Sequence, residues 1–285
     1  MTKIDIKKAA IIVNLLKFEA ADVVKEITSC LNEKGIEVEV FGYSGEPIAP
    51  IVGDIDIAFA LGGDGTVLFS ARTLAMLQIP VLAVNMGNFG FITEVSKDEW
   101  RETFEEYIEG KLSISRRLML KSKVYREGEI VAEYHCLNDS VISAYGISKM
   151  IRLSVKLNDT PLGQYRADGV IVSTPTGSTA YSAAAGGPLL DPEMEAVLIN
   201  PICPFSLSNR PLVVQGDKNV SITVEPEQRA EVILTVDGQM VFPLKPLDTI
   251  LFEKADSKAL IIRSDKRNFY EILRSKLKWS GGPDA

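Results

Sequence analysis

Leu61-Gly62-Gly63-Asp64-Gly65-Thr66 follows an apolar run, residues 55–61, whose one charged member is Asp56. It precedes Val67, Leu68, Ala71, Leu74 and Ala75, which have the spacing of a buried helical face. The stretch reads as a strand, a glycine turn and a helix N-terminus. Glycines let the backbone bend and let a ligand come close to the amides, and a helix start offers unpaired N–H groups and a positive dipole end to phosphate. Asp64 is the one carboxylate inside that cradle. As a purely structural turn the stretch would use Asp64 as a helix cap, which does not call for three glycines. It is not a Walker loop, because no Gly-Lys-[Ser/Thr] follows. A dinucleotide fingerprint needs G-x-G-x-x-G after the first strand, and here the run 9–16 passes into Lys17-Phe18-Glu19 without a glycine.

Outward from this turn, the first hundred or so residues alternate strand and helix. Strands are expected at 9–16, 37–43, 55–61 and 80–86. Helices are expected at about 19–34, with Val23, Ile27 and Leu31 on one face, and at about 97–110, with Trp100, Phe104, Tyr107 and Ile108 on another. Such alternation implies right-handed crossovers and a mainly parallel sheet, with ligands beyond the carboxyl ends of its strands. The glycine turn and the loop Gly87-Asn88-Phe89-Gly90-Phe91 both fall there.

The bulk properties limit what such a site serves. The 285 residues, 46% of them hydrophobic, are enough for a full core and one or two domains. A net charge of −7 argues against a general nucleic-acid or anionic-membrane binder. Cys30, Cys136 and Cys203 form no C-x-x-C, and with a single histidine, His135, they argue against a zinc site; they read as ordinary core residues in a reducing compartment. Lys3, Lys7 and Lys8 precede a run too short and too soon charged for a signal peptide, and no stretch reaches membrane-spanning length. A soluble cytoplasmic protein is the expectation.

Near Ser113 the pattern changes to short β-rich segments: 117–125, 130–144, 151–157, 170–174, 220–224, 231–236, 240–242, 250–253 and 259–262. Asn158-Asp159, Asp237-Gly238 and residues 126–129 read as hairpin turns. The expected division is an α/β domain, 1–112 plus 263–285, and an all-β domain, 113–262. The amphipathic C-terminal helix, with Phe269, Ile272, Leu273 and Leu277 on one face, could return to the first domain or meet a partner subunit. Residues 281–285 are expected to fray.

Three stretches of the β domain carry more than a sandwich needs. Asp168-Gly169 opens a strand that ends in Thr174-Pro175-Thr176-Gly177-Ser178-Thr179-Ala180-Tyr181-Ser182, followed by Ala184 and Gly186-Gly187-Pro188; a short helix is expected over 177–186. A helix cap needs one hydroxyl, and the surplus beside Tyr181 suits sugar and base. Asn138-Asp139 offers donors and acceptors to a ribose diol or an adenine edge, although Asn-Asp is also common in turns. Asp237-Gly238-Gln239 is first a hairpin turn and only then a site.

In this order the motifs resemble the NAD kinase family over nearly the whole chain. The glycine turn is shared with diacylglycerol-type lipid kinases, whereas the 174–182 block with its glycine pair is discriminating. The resemblance implies phosphorylation of the 2′-hydroxyl of the adenosine ribose of NAD by ATP with Mg²⁺, in a homodimer or homotetramer, with the C-terminal helix returning to the first domain. It implies that Asp64 is the general base, that Gly65, Phe91, Asn138, Asp139, Thr176, Thr179, Ala180, Tyr181, Ser182, Ala184 and Gln239 meet NAD, and that Asp168 reaches the nicotinamide side. Lys149 and Arg166 stand where relatives carry a basic residue near the dinucleotide; Gly62, Gly63, Thr66 and Arg72 would serve the phosphate donor. Relatives often have His at Asn88, Glu at Asp139 and a basic residue at Phe69. Two alternatives stay open at this point: a lipid kinase with the same turn, and a catalytically idle NAD-binding regulator.

Overall fold

The computed structural model describes residues 3–17, 19–44, 53–87, 90–146, 150–206 and 208–278. It divides into two units, Met1–Arg116 with Ala259–Ala285, and Arg117–Lys258.

The first unit runs β1 (Lys8–Asn14), α1 (Ala20–Glu33), β2 (Glu37–Tyr43), β3 (Ile57–Gly62), α2 (Asp64–Leu74), β4 (Val81–Asn85), β5 (Val95–Ser96), α3 (Trp100–Ile108) and β6 (Ile114–Arg117). Every residue of β3 and of β4 is buried, the mark of parallel strands covered on both faces. Asp56 is spent at the start of β1, where its Oδ2 accepts the N–H groups of Lys7 at 2.7 Å and Lys8 at 3.0 Å. Helix α3 buries Trp100, Thr103, Phe104 and Tyr107, and the Trp100 and Phe104 rings flank Phe59 of β3.

The second unit continues with β7 (Leu120–Arg126), β8 (Glu129–Cys136), β9 (Asp139–Ala144), β10 (Ile151–Leu157), β11 (Thr160–Ala167) and β12 (Gly169–Ser173). After a 3₁₀ turn at Thr176–Thr179 come α4 (Tyr181–Ala184), β13 (Ala196–Ile202), β14 (Leu212–Gln215), β15 (Val220–Val224), β16 (Val232–Val236), β17 (Met240–Leu244) and β18 (Thr249–Lys254). Two six-stranded sheets, β11-β10-β15-β18-β7-β8 and β14-β13-β12-β9-β16-β17, share one hydrophobic cluster that includes Leu120, Val155 and Phe252 from the first and Ile142, Val172 and Leu234 from the second. All the paired strands in both sheets whose registers are resolved run antiparallel. The chain then returns to the first unit as β19 (Ala259–Ile262) and α5 (Phe269–Leu277).

The first sheet has the order β2-β1-β3-β4-β19-β6, mostly parallel, with β5 also on β4. The chain steps from β1 to β2 on one side and to β3 on the other, so the topological switch point lies between β1 and β3, at whose carboxyl ends ligands bind in open α/β sheets. Strands β19 and β5 share one edge of β4. The first pairs with Val81 at its start, the second with Val84 and Asn85 at its end.

Several expectations change. Residues 259–262 belong to the parallel sheet, where all four are buried, and Ile114–Arg117 joins the same sheet. The run 130–144 is two strands in different sheets, broken at Leu137-Asn138. Three strands of the second unit go unannounced in the sequence, as does the two-residue β5 of the first. β11 is a largely exposed edge without alternation, β13 carries Asn200 and Pro201 inside a buried run, and β14 is four residues long. The segment expected as one helix over 177–186 is a 3₁₀ turn followed by the four-residue α4. Cys203 is exposed, unlike the buried Cys30 and Cys136, and Leu277 is exposed on α5, which buries Ile272 and Leu273. The hairpin turns fall as expected, with positive φ at Glu127 and Gly128, at Asn158, and at Asp237 and Gly238. Among the described residues no helix is long and apolar enough to cross a membrane.

Candidate active site

In the first unit the glycine turn leaves β3 beside the switch point and enters α2 at Asp64, the helix's first residue. Gly62, Gly63 and Gly65 are all outside the positive-φ region, so the turn's glycines answer to space rather than to handedness. A Cβ on Gly62 would overlap the Thr66 side chain, whereas one on Gly63 would meet no described residue within 4 Å. Thr66 itself is buried beneath the turn, with its hydroxyl 2.8 Å from the Tyr43 hydroxyl. Arg72 sits in the last turn of α2, roughly 12 Å along the axis from Asp64.

The Asp64 side chain does not cap its helix. Its Oδ2 accepts the Phe91 N–H at 2.9 Å, and its Oδ1 accepts the Ile92 N–H and the Thr93 hydroxyl, each at 3.3 Å. Thr93 is the hub: its Oγ1 also accepts from Asn85 Nδ2 at 3.1 Å and from the Gly90 N–H at 2.8 Å. Asn85 Oδ1 in turn accepts the Gly87 N–H at 2.7 Å, and the Met86 N–H donates to the Gly62 carbonyl at 2.9 Å. The two strand-end loops are thus sewn together around one half-buried carboxylate. A carboxylate oxygen accepts about two hydrogen bonds, so Oδ2 keeps room for a substrate hydroxyl. Asn88 and Phe89 lie outside the described residues, as does Lys149. Thr93 and Asn85 are new to the site, and nothing in their local sequence singles them out.

In the second unit the break between β8 and β9 is built by Asp237. Its carboxylate accepts the N–H groups of Leu137 at 3.1 Å, Asn138 at 2.8 Å and Asp139 at 3.3 Å, while its own N–H donates to the Asp139 carbonyl at 2.9 Å. The hairpin residue is therefore the anchor of the Asn138-Asp139 corner. Burial, with the Asp237 charge second, pushes the Asp139 carboxyl up to about 7.

The 174–182 block lies on the same corner. Thr174 donates its N–H to the Asn138 carbonyl at 2.9 Å and its hydroxyl to the Leu137 carbonyl at 2.5 Å, and Ser173 Oγ reaches the Asn138 carbonyl at 3.2 Å. Not all of its hydroxyls face outward. Ser178 Oγ donates to the Pro175 carbonyl at 2.7 Å and accepts the Leu190 N–H at 2.9 Å. The fully buried Ser182 receives Asn200 Nδ2 on its carbonyl at 3.0 Å and on its hydroxyl at 3.2 Å. Ala184 and Tyr181 are exposed, the Tyr181 ring from a turn braced underneath by these serines. Asn138 Oδ1 and Thr176 Oγ1 are buried atoms with no hydrogen-bond partner among the described residues. Asp168 is half-buried at the start of β12, and Arg166 is exposed with its guanidinium 5.0 Å over the Phe205 ring.

The family model of the ATP-NAD kinase N-terminal domain matches residues 47–112, and that of the ATP-NAD kinase C-terminal domain matches residues 137–264. Proteins named NAD kinase from Treponema denticola and Desulforamulus reducens are 43% and 41% identical to this chain over 96% of its length and 97% and 98% of theirs. Among solved structures, yeast NADH kinase complexed with NADH aligns with a TM-score of 0.83 at 25% identity, over 96% of this chain and 88% of that one. An NAD kinase from Archaeoglobus fulgidus in complex with ATP aligns with a TM-score of 0.75 at 26% identity, over 96% and 100%. The lipid-kinase alternative rested on the glycine turn alone, while these matches embrace both units. The chain belongs to the NAD kinase family.

Proposed function

We propose that the protein phosphorylates the 2′-hydroxyl of the adenosine ribose of NAD at the expense of ATP, with Asp64 as general base. The observation that carries this reading is the Asp64 carboxylate, turned away from its own helix and held by three donors, with Oδ2 engaged by one of them and able to accept a second. The 2′-hydroxyl proton passes to Asp64, the ribose oxygen bonds to the γ-phosphorus, and the bond from that phosphorus to ADP breaks. Phosphoryl transfer passes through a loose transition state, so alignment dominates and the base takes its proton late.

Gly62, Gly63 and the amides at the start of α2 receive the donor phosphates. Gly65, Phe91, Asn138, Asp139, Thr176, Thr179, Ala180, Tyr181, Ala184 and Gln239 meet NAD, and the buried Ser182 holds the turn that carries Tyr181. Asp168 serves the nicotinamide side, and Arg166 stands near the dinucleotide. Mg²⁺ would arrive with the nucleotide's phosphates and neutralise their charge, and no step is routed through it. A cytoplasmic homodimer or homotetramer completes the proposal.

The test is NADP formation from NAD, ATP and Mg²⁺, read through an NADP-specific dehydrogenase, in the wild type and in Asp64→Asn. The variant is expected to lose roughly 10²–10⁴ in kcat and to keep NAD binding by calorimetry. Near-normal turnover would remove Asp64 from the reaction, and NAD binding by a wild type without turnover would return the idle regulator.

A further inference from the structure

The turn that holds Asp64 is gripped from its other end by the C-terminal segment of the same unit. Arg267 Nη1 donates to the Glu94 carbonyl at 3.1 Å, and the guanidinium fork closes on Glu99, Nη1 to Oε2 at 2.7 Å and Nη2 to Oε1 at 2.9 Å. Glu99 Oε2 also accepts the Ser96 N–H at 3.0 Å. Further along, Lys276 of α5 stands 5.1 Å from the centre of the Phe91 ring. Between these grips lie Phe91, Ile92 and Thr93, which touch the Asp64 carboxylate, and Val95 and Ser96, which are paired to β4.

We propose that Arg267 is a positioning residue for phosphoryl transfer, fixing the 91–93 turn through Glu94 and Glu99 and thereby the orientation of the Asp64 carboxylate. The inference rests on the reading of Asp64 as base. Three directed hydrogen bonds from one planar group set position as well as energy, which a single ammonium does not reproduce. Arg267 and Glu99 are part-exposed, at 31% and 19%, and their bidentate geometry fixes the position of the segment it grips as well as adding stability. Arg267 holds the Glu99 carboxyl at about 2, so the clasp stays charged through the neutral range.

The experiment is steady-state kinetics of the full chain for the wild type, Asp64→Asn, Arg267→Ala, Arg267→Lys, Thr93→Val and the Arg267→Ala/Thr93→Val double variant. Arg267→Ala is expected to lower kcat roughly tenfold to a hundredfold with KM for ATP within about twofold. Arg267→Lys should recover only a minor part of that loss. Because both residues act on one turn, the double variant should be little worse than the poorer single variant. Near-wild-type kcat in a folded Arg267→Ala, or losses that simply multiply, would overturn the proposal. If Arg267→Ala does not fold, Arg267→Lys and Glu99→Gln carry the same cycle with Thr93→Val. A wild type that makes no NADP, or an active Asp64→Asn, would instead strike the base assignment, and this proposal with it.

Discussion

The Phe91 N–H donates to Asp64 Oδ2 at 2.9 Å, joining the first residue of α2 to a turn 27 residues further on. Asp64 and Phe91 follow neighbouring parallel strands, β3 and β4, so the bond spans the two loops at one end of the sheet. The carboxylate is oriented by backbone that the sheet fixes, and this is the arrangement a general base needs when catalysis rests on alignment.

Gly90 is the place where that closeness can be tested. A Cβ built on it would overlap the Asp64 carboxylate, and its φ is not positive, so alanine there meets a steric obstacle and no backbone strain. Gly90→Ala is expected to lower kcat roughly 10²-fold by displacing Asp64 and to leave NAD affinity much less changed. Gly87→Ala, whose Cβ would meet no described residue within 4 Å, is the control and should turn over nearly normally. Kinetics with calorimetry on both variants decides it, and equal behaviour of the two would contradict the packing argument.

Thr93→Val keeps the shape of a fully buried side chain and removes its hydroxyl. Asn85 Nδ2 and the Gly90 N–H lose their acceptor, and Asp64 Oδ1 loses a donor. Stranding buried polar groups costs about 1–3 kcal/mol each at most, so a lower urea midpoint with an unchanged m-value is expected, together with reduced kcat. Thr93→Ser, which keeps the hydroxyl, should restore most of both.

The parallel sheet was legible because β1, β3 and β4 are near-continuous apolar runs separated by helical periodicity, and the glycine turn stood out by composition. What the sequence hid was reach. Thr93 and Asn85 are an ordinary threonine and asparagine until β4 and β5 place them beside Asp64. Asp237 read as a hairpin residue because its turn chemistry is local, while its contacts to Leu137 and Asn138 span 100 and 99 residues. Serines 178 and 182 looked like ligand groups because hydroxyl surplus in sequence does not say which side of a turn faces inward. Strand β13 was lost because Asn200 and Pro201 interrupt a run that tertiary burial nevertheless covers completely.

Asp237 anchors the corner that presents Asn138 and Asp139, and it does so from the left-handed region, φ 50°. Asp237→Ala loses a charged acceptor of three backbone N–H groups and strains the turn, at a cost of about 1.5–3 kcal/mol for the charged hydrogen bonds. Asp237→Asn keeps one acceptor and tolerates the backbone, so its loss should be smaller. The expected order of thermal midpoint and of NAD affinity is wild type, then Asn, then Ala. An Ala variant as stable as the Asn variant would show that the corner stands without this anchor.

Asp139 should give the protein two pH dependences of opposite sign. Its carboxyl, about 7 in the folded chain against an ordinary 3.8, holds a proton between those values that the unfolded chain has released. The native state then binds more protons than the unfolded state, so this group's contribution to stability falls as pH rises from about 4 to about 7 and is level above. Binding runs the other way: a ribose diol donates both hydroxyls to an ionised carboxylate, and NAD affinity should rise as pH passes through about 7. Denaturation without ligand and calorimetry with NAD, each at several pH values between 5 and 8, measure the two slopes. Asp139→Asn should flatten both, and a wild-type NAD affinity indifferent to pH in this window would mean that the Asp139 carboxylate does not grip the ribose.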